Sequence, residues 1–292
     1  MPGYHLPYFT AEAKGIYASY GLEVDIVDPE PGADNVRAVA ARRYDACLTS
    51  AAYFLRAKTE DRRLPARFVF MVARRTHMAA FLATDPGSRG PGFGDLAGTS
   101  YLGEPGSPFT REYMSLVRHL GMTPPSVIET PYETITFALA KGGGRVAADF
   151  LDLWPKFKRA ADACGSAIVP LPFYEAGIQA YGSGLVVGDR FISERPEVVD
   201  ALARAIADGL EATRRDPRLG LRALCDRFPE TDPELAISGW EAGAPLIFGS
   251  GRTGTMDEAG WRETVEHYAS THGTARLSPV ELFVGSFTKA RS

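Results

Sequence analysis

Residues 17–27, YASYGLEVDIV, predict the fold class because a helix passes directly into a strand there. The pattern favours a helix over residues 10–20, and Gly21 suits the left-handed residue that ends many helices. Residues 22–27 then alternate apolar and acidic side chains, which is the period of a half-buried strand. A helix followed at once by such a strand is typical of an α/β protein.

The same alternation continues on the carboxyl side of this stretch. It predicts helices, strands and loops in turn until about residue 187, which indicates an α/β fold with a mostly parallel sheet. From Pro196 onward the pattern is helical, and proline stands near the start of three of the helical segments. The predicted strands of this part are residues 44–48, 67–72, 79–84, 99–102, 127–129, 145–151 and 185–187, and the predicted helices include residues 132–140 and 154–164.

Composition and charge exclude several classes of protein. The chain has 292 residues and a net charge of −4, which gives no attraction to nucleic acid or to an anionic membrane. No apolar run reaches the length that a membrane span needs. The amino-terminal MPGYHLPYF has none of the features of a secretion signal.

Five stretches carry a resemblance to a known family: residues 4–9 (YHLPYF), 13–17 (AKGIY), 20–24 (YGLEV), 95–98 (DLAG) and 181–187 (YGSGLVV). Their order and spacing resemble the nitrate/sulfonate/taurine and thiamine-pyrimidine binding proteins of ABC transporters. The resemblance implies the type II periplasmic-binding-protein fold, two α/β lobes joined by two crossing strands. It places residues 1–79 and 188–292 in lobe one and residues 80–187 in lobe two.

The family also has a strand before the Tyr-His segment, whereas only Met1, Pro2 and Gly3 precede it here. We therefore expect the natural start to lie upstream, or the protein to be a cytoplasmic member like the fungal pyrimidine synthases. An upstream start would agree with the extracytoplasmic location that the resemblance implies.

Candidate ligand-binding residues follow from the rule that ligands of α/β sheets bind at the carboxyl ends of strands, near helix N-termini. The rings of residues 4–9 suit a stacking wall for a flat ligand, with core packing as the alternative. Helix capping is the alternative role for Thr49, Ser50 and Asp152. The candidates are Tyr4, His5, Tyr8, Thr49, Ser50, Tyr53, Glu104, Ser107, Phe109, Thr110, Asp152, Trp154, Tyr174 and Tyr181.

The loop that begins at Gly103 indicates the chemistry of the ligand. Ser107 and Thr110 stand where a helix begins, and free N–H groups there favour an anion. Glu104 opposes this, because a carboxylate repels an acid and accepts hydrogen bonds from an amino group or a heterocyclic N–H. Asp152 and Trp154 likewise suit a cationic or aromatic-nitrogen ligand.

These observations predict a solute-binding protein that captures a small aromatic or heterocyclic molecule between two lobes, for an ABC permease. The alternative is a cytoplasmic enzyme on the same fold, pyrimidine-synthase-like or desulfonating. Residues 49–53 contain neither the lysine nor the histidine that the pyrimidine synthases carry near that position. The sequence therefore predicts no enzymatic activity, no cofactor and no metal site.

Overall fold

The computed structural model describes residues 3–27, 32–87, 90–249 and 252–285. Twelve α-helices occupy this part of the chain, and none is long and apolar enough to cross a bilayer. They are α1 (Leu6–Ala13), α2 (Ile16–Ser19), α3 (Asp34–Ala40), α4 (Ala51–Glu60), α5 (Pro108–His119), α6 (Tyr132–Ala140), α7 (Trp154–Cys164), α8 (Asp189–Glu194), α9 (Pro196–Arg215), α10 (Leu221–Arg227), α11 (Pro233–Phe248) and α12 (Glu258–His272).

Eight strands in the described residues form two separate sheets. The strands are β1 (Ala46–Ser50), β2 (Ala66–Met71), β3 (Met78–Thr84), β4 (Tyr101–Gly103), β5 (Val127–Glu129), β6 (Val146–Phe150), β7 (Ala167–Pro172) and β8 (Ser183–Gly188). The first sheet has the order β1-β8-β2 and the second has the order β5-β4-β6-β3-β7. The chain crosses from the first sheet to the second between β2 and β3, through residues 72–77, and returns between β7 and β8, through residues 173–182. These two segments are the first and the second passage.

The prediction of a mostly parallel sheet is wrong for the strands next to these passages. β8 is antiparallel to both β1 and β2, with Ala46 opposite Val187 and Ser50 opposite Ser183. In the second sheet β4 is parallel to β5 and β6, whereas β3 is antiparallel to β6 and β7. Periodicity identifies a strand, but its direction depends on the connection that precedes it, and β3 and β8 each arrive from the other sheet.

The stretch at residues 17–27 also folds differently from its prediction. The expected helix over residues 10–20 is two helices, because Gly15 between α1 and α2 adopts a left-handed φ of 65°. Gly21 has a φ of 72°, as predicted. Residues 22–27 form no regular secondary structure and belong to no ladder in the described structure. Ile26 packs against the core of the first sheet, and a cavity separates residues 24–27 from Ala46, Cys47 and Leu48 of β1.

The carboxyl-terminal helices bind the two sheets together. α9 packs on α1, whereas α11 packs on α7 and on the 3-10 turn Leu151–Leu153 of the second sheet. α12 lies against both α4 and α5. Its Trp261 is fully buried beside Phe54 and Phe68, with ring centroids 6.1 and 5.0 Å away. The lobe boundaries near residues 79 and 187 stay a prediction.

Candidate functional site

A cleft lies where both passages of the chain and the ends of strands from both sheets meet. β1 ends at Ser50 and β6 ends at Phe150, and both residues line the cleft. The two passages are hydrogen-bonded to each other, since the Gly182 N–H donates to the Ala73 carbonyl over 3.0 Å. The volume of the cleft, including its open mouth, is about 380 Å³. Its other lining residues are Ala52, Tyr53, Thr76, His77, Met78, Pro108, Phe109, Glu112, Gly182 and Tyr268.

Aromatic rings form one continuous wall of this cleft. Phe109 stacks on Tyr132 with centroids 5.4 Å apart, and it meets Phe150 edge-on at 5.3 Å. Phe150 in turn meets the ring of His77 at 4.5 Å, and His77 meets Tyr4 at 5.8 Å. Phe109 of α5, Phe150 at the end of β6 and His77 line the cleft, whereas Tyr132 of α6 and Tyr4 of the 3-10 turn Gly3–His5 continue the row of rings outside its lining. A flat ligand can therefore find stacking partners on this wall.

His77 gives the wall a polar group. Burial lowers the pKa of its imidazole to about 4, so the ring is neutral at physiological pH. Its side chain forms no hydrogen bond with any other residue that the structure describes. A neutral imidazole carries one donor and one acceptor, and both are available to a ligand.

Glu112 of α5 is the acidic group of the cleft and is only 7% exposed. Its carboxyl interacts with the hydroxyl of Tyr268, which also interacts with the side chain of Thr76. Burial raises the pKa of Glu112 to about 8. The Nε2 atom of His272 lies 3.8 Å from Oε1, but burial lowers the pKa of that imidazole to about 4. A carboxyl group without a cationic partner thus faces the cleft.

Arginine side chains lie outside this polar centre. Arg56 and Arg111 line an adjoining pocket, which shares Tyr53, Glu112 and Tyr268 with the cleft. The positive charge is therefore concentrated beside the cleft, whereas its own lining carries rings, hydroxyls and one carboxyl.

Three of the predicted residues line the cleft: Ser50, Tyr53 and Phe109. Ser50 also caps α4, since its Oγ accepts a hydrogen bond from the Tyr53 N–H over 3.3 Å. Thr49 is buried within β1, opposite Gly184 of β8.

The loop after β4 uses most of its polar groups internally. Glu104 accepts a hydrogen bond from the Tyr132 N–H at the start of α6, over 3.1 Å. Ser107 caps α5 by accepting from the Thr110 N–H over 3.2 Å. The Thr110 hydroxyl donates to the Glu104 carbonyl over 2.8 Å. Glu104, Ser107 and Thr110 therefore hold the loop and two helix starts together, which accounts for their sequence pattern.

The buried acids at the end of β6, Asp149 and Asp152, are not part of the cleft lining. Asp149 accepts hydrogen bonds from the Tyr132 hydroxyl and the Phe150 N–H, over 3.1 and 2.8 Å. Burial, followed by the charge of Asp149, raises the pKa of Asp152 to about 7. The Tyr4 N–H lies close enough to lower the pKa of Asp152 in part, and Asp152 lies against α11, where a Cβ on Gly239 would come within 2.7 Å of its carbonyl.

The predicted aromatic residues separate into different environments. Trp154 stacks on Phe81 at 6.3 Å and belongs to the core of the second sheet. Tyr174 lies against the guanidinium of Arg75, at 5.1 Å. Tyr181 is buried, and its hydroxyl accepts a hydrogen bond from the N–H of Asp257 just before α12.

The amino-terminal rings are adjacent, with centroids 6.4 Å apart for both Tyr4–His5 and His5–Tyr8, but they lie in two different places. The Tyr4 hydroxyl is 2.5 Å from Ser183 Oγ, and this contact joins the first residues to β8. His5 and Tyr8 instead line the cavity beside residues 24–27. Burial lowers the pKa of His5 to about 4, and the buried Tyr8 hydroxyl has no partner among the described residues.

Nine lining residues of the cleft were not predicted, and five of these carry polar or aromatic side chains: Thr76, His77, Glu112, Phe150 and Tyr268. Phe150 and His77 carry a usable signal, because Phe150 ends a strand and His77 directly precedes one. Glu112 and Tyr268 are helix-interior residues that meet only because α12 packs on α5. In the described residues no group of His, Cys, Asp and Glu side chains is arranged to hold a metal ion.

Solved structures with the same architecture cover almost the whole chain. The periplasmic aliphatic sulphonate-binding protein SsuA of Escherichia coli has a TM-score of 0.73 at 13% identity, over 95% of this chain and 93% of its own. The ligand-binding component of an ABC-type import system of Staphylococcus aureus has a TM-score of 0.70 at 14% identity, over 100% and 96%. The desulfurization enzyme DSZB has a TM-score of 0.63 at 14% identity, over 97% and 94%.

These similarities confirm the predicted periplasmic-binding-protein fold. A search of curated proteins found no significant match to the sequence. The family model described as NMT1/THI5 like matches residues 3–219, which is well over half of the chain. The chain therefore belongs to the NMT1/THI5-like family.

Proposed function

We propose that the protein is a solute-binding protein that captures a small aromatic or heterocyclic molecule in the cleft between its two sheets. The observation that carries the proposal is the composition of the cleft. Aromatic rings from both sides of the passages surround a few buried polar groups, and this is the usual character of a small-molecule site. Tyr53 stands on the side of the first sheet, and Phe109 and Phe150 stand on the side of the second.

Closure of the cleft is part of this proposal. A ligand that contacts both walls binds the closed form more tightly than the open form, and such a difference shifts the equilibrium toward closure. Thr76, His77 and Gly182 lie in the passages between the sheets, so the residues that would flex also contact the ligand. Binding and closure would thus be coupled directly.

Delivery to an ABC permease, and with it an extracytoplasmic location, completes the proposal. The support is the kind of protein that shares the fold: SsuA binds aliphatic sulphonates in the periplasm, and the Staphylococcus aureus protein belongs to an import system. The aromatic wall of this chain favours a flat ligand over an aliphatic one.

An enzymatic function is the second candidate, because the desulfurization enzyme DSZB has the same fold. The titratable residues His77 and Glu112 in the cleft favour it. Against it, the described lining contains no cysteine and no lysine, and Ser50 is occupied as a helix cap. Lys58 of the neighbouring α4 is buried with its ammonium group on the Leu64 carbonyl, over 2.6 Å.

A pair of phenylalanine variants tests the proposal. Phe109 lies in the wall of the cleft, whereas Phe137 of α6 is 53% exposed and lies outside the cleft lining. Native mass spectrometry of the purified protein should detect and identify a retained small molecule, and incubation with the identified compound should reduce the radius of gyration in small-angle scattering. We expect Phe109→Ala to weaken its binding at least tenfold and Phe137→Ala to leave it unchanged. Equal affinities in the two variants, or catalytic turnover of the compound, would contradict the proposal.

A further inference from the structure

The Glu112 carboxyl is placed where it must contact whatever fills the cleft. Glu112 belongs to the interior of α5, one turn after Phe109 on the same helix, and it lines the cleft together with Phe109 and Tyr53 of α4. The uncharged polar groups around it are the Tyr268 hydroxyl, the Thr76 hydroxyl beyond it, and a neutral His272. The buried acid is therefore solvated by hydroxyls and has no cation opposite it.

No arginine or lysine of the described chain forms an ion pair with this carboxyl. Arg111 is its neighbour on α5, and adjacent residues of a helix point about 100° apart. Arg111 lines the adjoining pocket together with Arg56 of α4 and Glu112 itself, and its charge is the smallest of the three influences on the pKa of Glu112. The hydrogen-bonding capacity of the carboxylate toward the cleft is thus left for a ligand.

We propose that Glu112 selects the ligand, which is a flat ring that carries a cationic or amidine-like N–H donor group, and that it rejects sulfonates and other acids. This inference rests on the proposed function, since it names the ligand class of the same cleft. Two N–H groups directed at a buried carboxylate form short, charge-assisted hydrogen bonds. A sulfonate at the same place would bring two negative charges together in a poorly solvated site.

The pH dependence of ligand affinity, which reports the proton of Glu112, is a second test of the proposal. An empty cleft favours the protonated carboxyl, and a bound cation favours the carboxylate, so binding of a cation releases a proton. The affinity for a permanently protonated amidine should rise about tenfold per pH unit from pH 6 to pH 8 and then level off.

Other groups around Glu112 do not produce this profile. His77 and His272 are already neutral at pH 6, because burial lowers the pKa of both to about 4. Burial raises the pKa values of Tyr53 and Tyr268, and the guanidinium groups of Arg56 and Arg111 are the nearby cations. Burial raises the pKa of Asp149 to about 6 and that of Asp152 to about 7, but both residues lie outside the cleft lining and are unchanged in a variant at Glu112.

Three probes of one shape test the selection: benzamidine, benzamide and benzenesulfonate. Isothermal titration calorimetry should show benzamidine binding at least tenfold more tightly than benzenesulfonate at pH 8. Glu112→Gln should remove this preference and the pH dependence while it retains the affinity for benzamide, which shows that the cleft is intact. Glu104→Gln is the matched control, because that carboxylate is exposed and bound to the start of α6, and it should keep the preference of the native protein.

Tighter binding of benzenesulfonate, an unchanged preference in Glu112→Gln, or no binding of any of the three probes would overturn the inference. None of these results by itself removes the proposed function. If native mass spectrometry then finds an acid that closes the cleft, the solute-binding proposal stands and only the assigned ligand class is wrong.

Discussion

Replacing Glu112 by glutamine should stabilise the protein, and the gain should depend on pH. Burial raises the pKa of this carboxyl from 4.5 to about 8. As the pH rises, the unfolded chain therefore loses this proton first, and the free energy of unfolding falls between pH 4.5 and pH 8. The stabilising contribution of the protonated carboxyl is complete below pH 4.5 and absent above pH 8. Glutamine has no proton to lose and keeps its stability throughout.

The size of the expected stabilisation follows from the pKa shift of Glu112. At 1.36 kcal/mol per pKa unit, the carboxylate costs about 3 kcal/mol at pH 7 and about 5 kcal/mol above pH 8, as upper limits. The amide of glutamine must also find partners near Tyr268, so we expect a net gain of about 1–3 kcal/mol at pH 8. For a chain of this length that gain raises the melting temperature by roughly 2–6 °C.

Thermal unfolding followed by circular dichroism at pH 5, 6, 7, 8 and 9 measures this difference. Asp149 and Asp152 also have raised pKa values, but they are present in both proteins and cancel in the comparison. Glu104→Gln should match the native protein at every pH. The reasoning would be refuted if the difference in melting temperature between the native protein and Glu112→Gln stayed constant with pH. It would also be refuted if Glu112→Gln had the lower melting temperature at pH 8.

Two further substitutions test contacts that connect distant parts of the chain. Tyr4→Phe removes the hydroxyl contact with β8 and should lower the free energy of unfolding, measured in urea, by about 1–2 kcal/mol. Its control, Tyr20→Phe, removes an exposed contact and should lower it by less than about 0.5 kcal/mol. Equal losses in the two variants would contradict this expectation. Gly182→Ala places a Cβ 2.3 Å from the Arg75 carbonyl in the neighbouring passage, so it should lower the melting temperature and weaken benzamidine binding, whereas Gly94→Ala, with nothing within 4 Å, should do neither.

The elements that the sequence predicted best are those with local signals at both ends. The helices at Tyr132–Ala140 and Trp154–Cys164 and the strand at Val127–Glu129 have the predicted bounds. Pro131 precedes the first helix, and Gly165 ends the second with a left-handed φ of 65°. Such signals depend only on neighbouring residues, so they can be read without knowledge of the fold.

Predictions that needed a distant partner were less successful. Residues 22–27 have the alternation of a strand, but a ladder needs a second strand, and a cavity lies between them and β1. The directions of β3 and β8 could not be predicted for the same reason, because each enters its sheet from the other one. The family resemblance supplied the two-sheet arrangement that periodicity alone does not contain.

Glu104 and Glu112 show why the rule that ligands bind at the carboxyl ends of strands predicted only part of the site. Glu104 follows the end of a strand, and such a position is also close to the unpaired N–H groups at the start of a helix. One of these N–H groups donates a hydrogen bond to its carboxylate. Glu112 stands one turn inside α5, where its own helix satisfies the nearby backbone and leaves the side chain available. Its place in the cleft depends on Tyr268 of α12, more than 150 residues later in the chain. A buried acid can remain unpaired in a cleft when the backbone around it has no unsatisfied donors, and such positions lie in helix interiors rather than in the loops that sequence rules select.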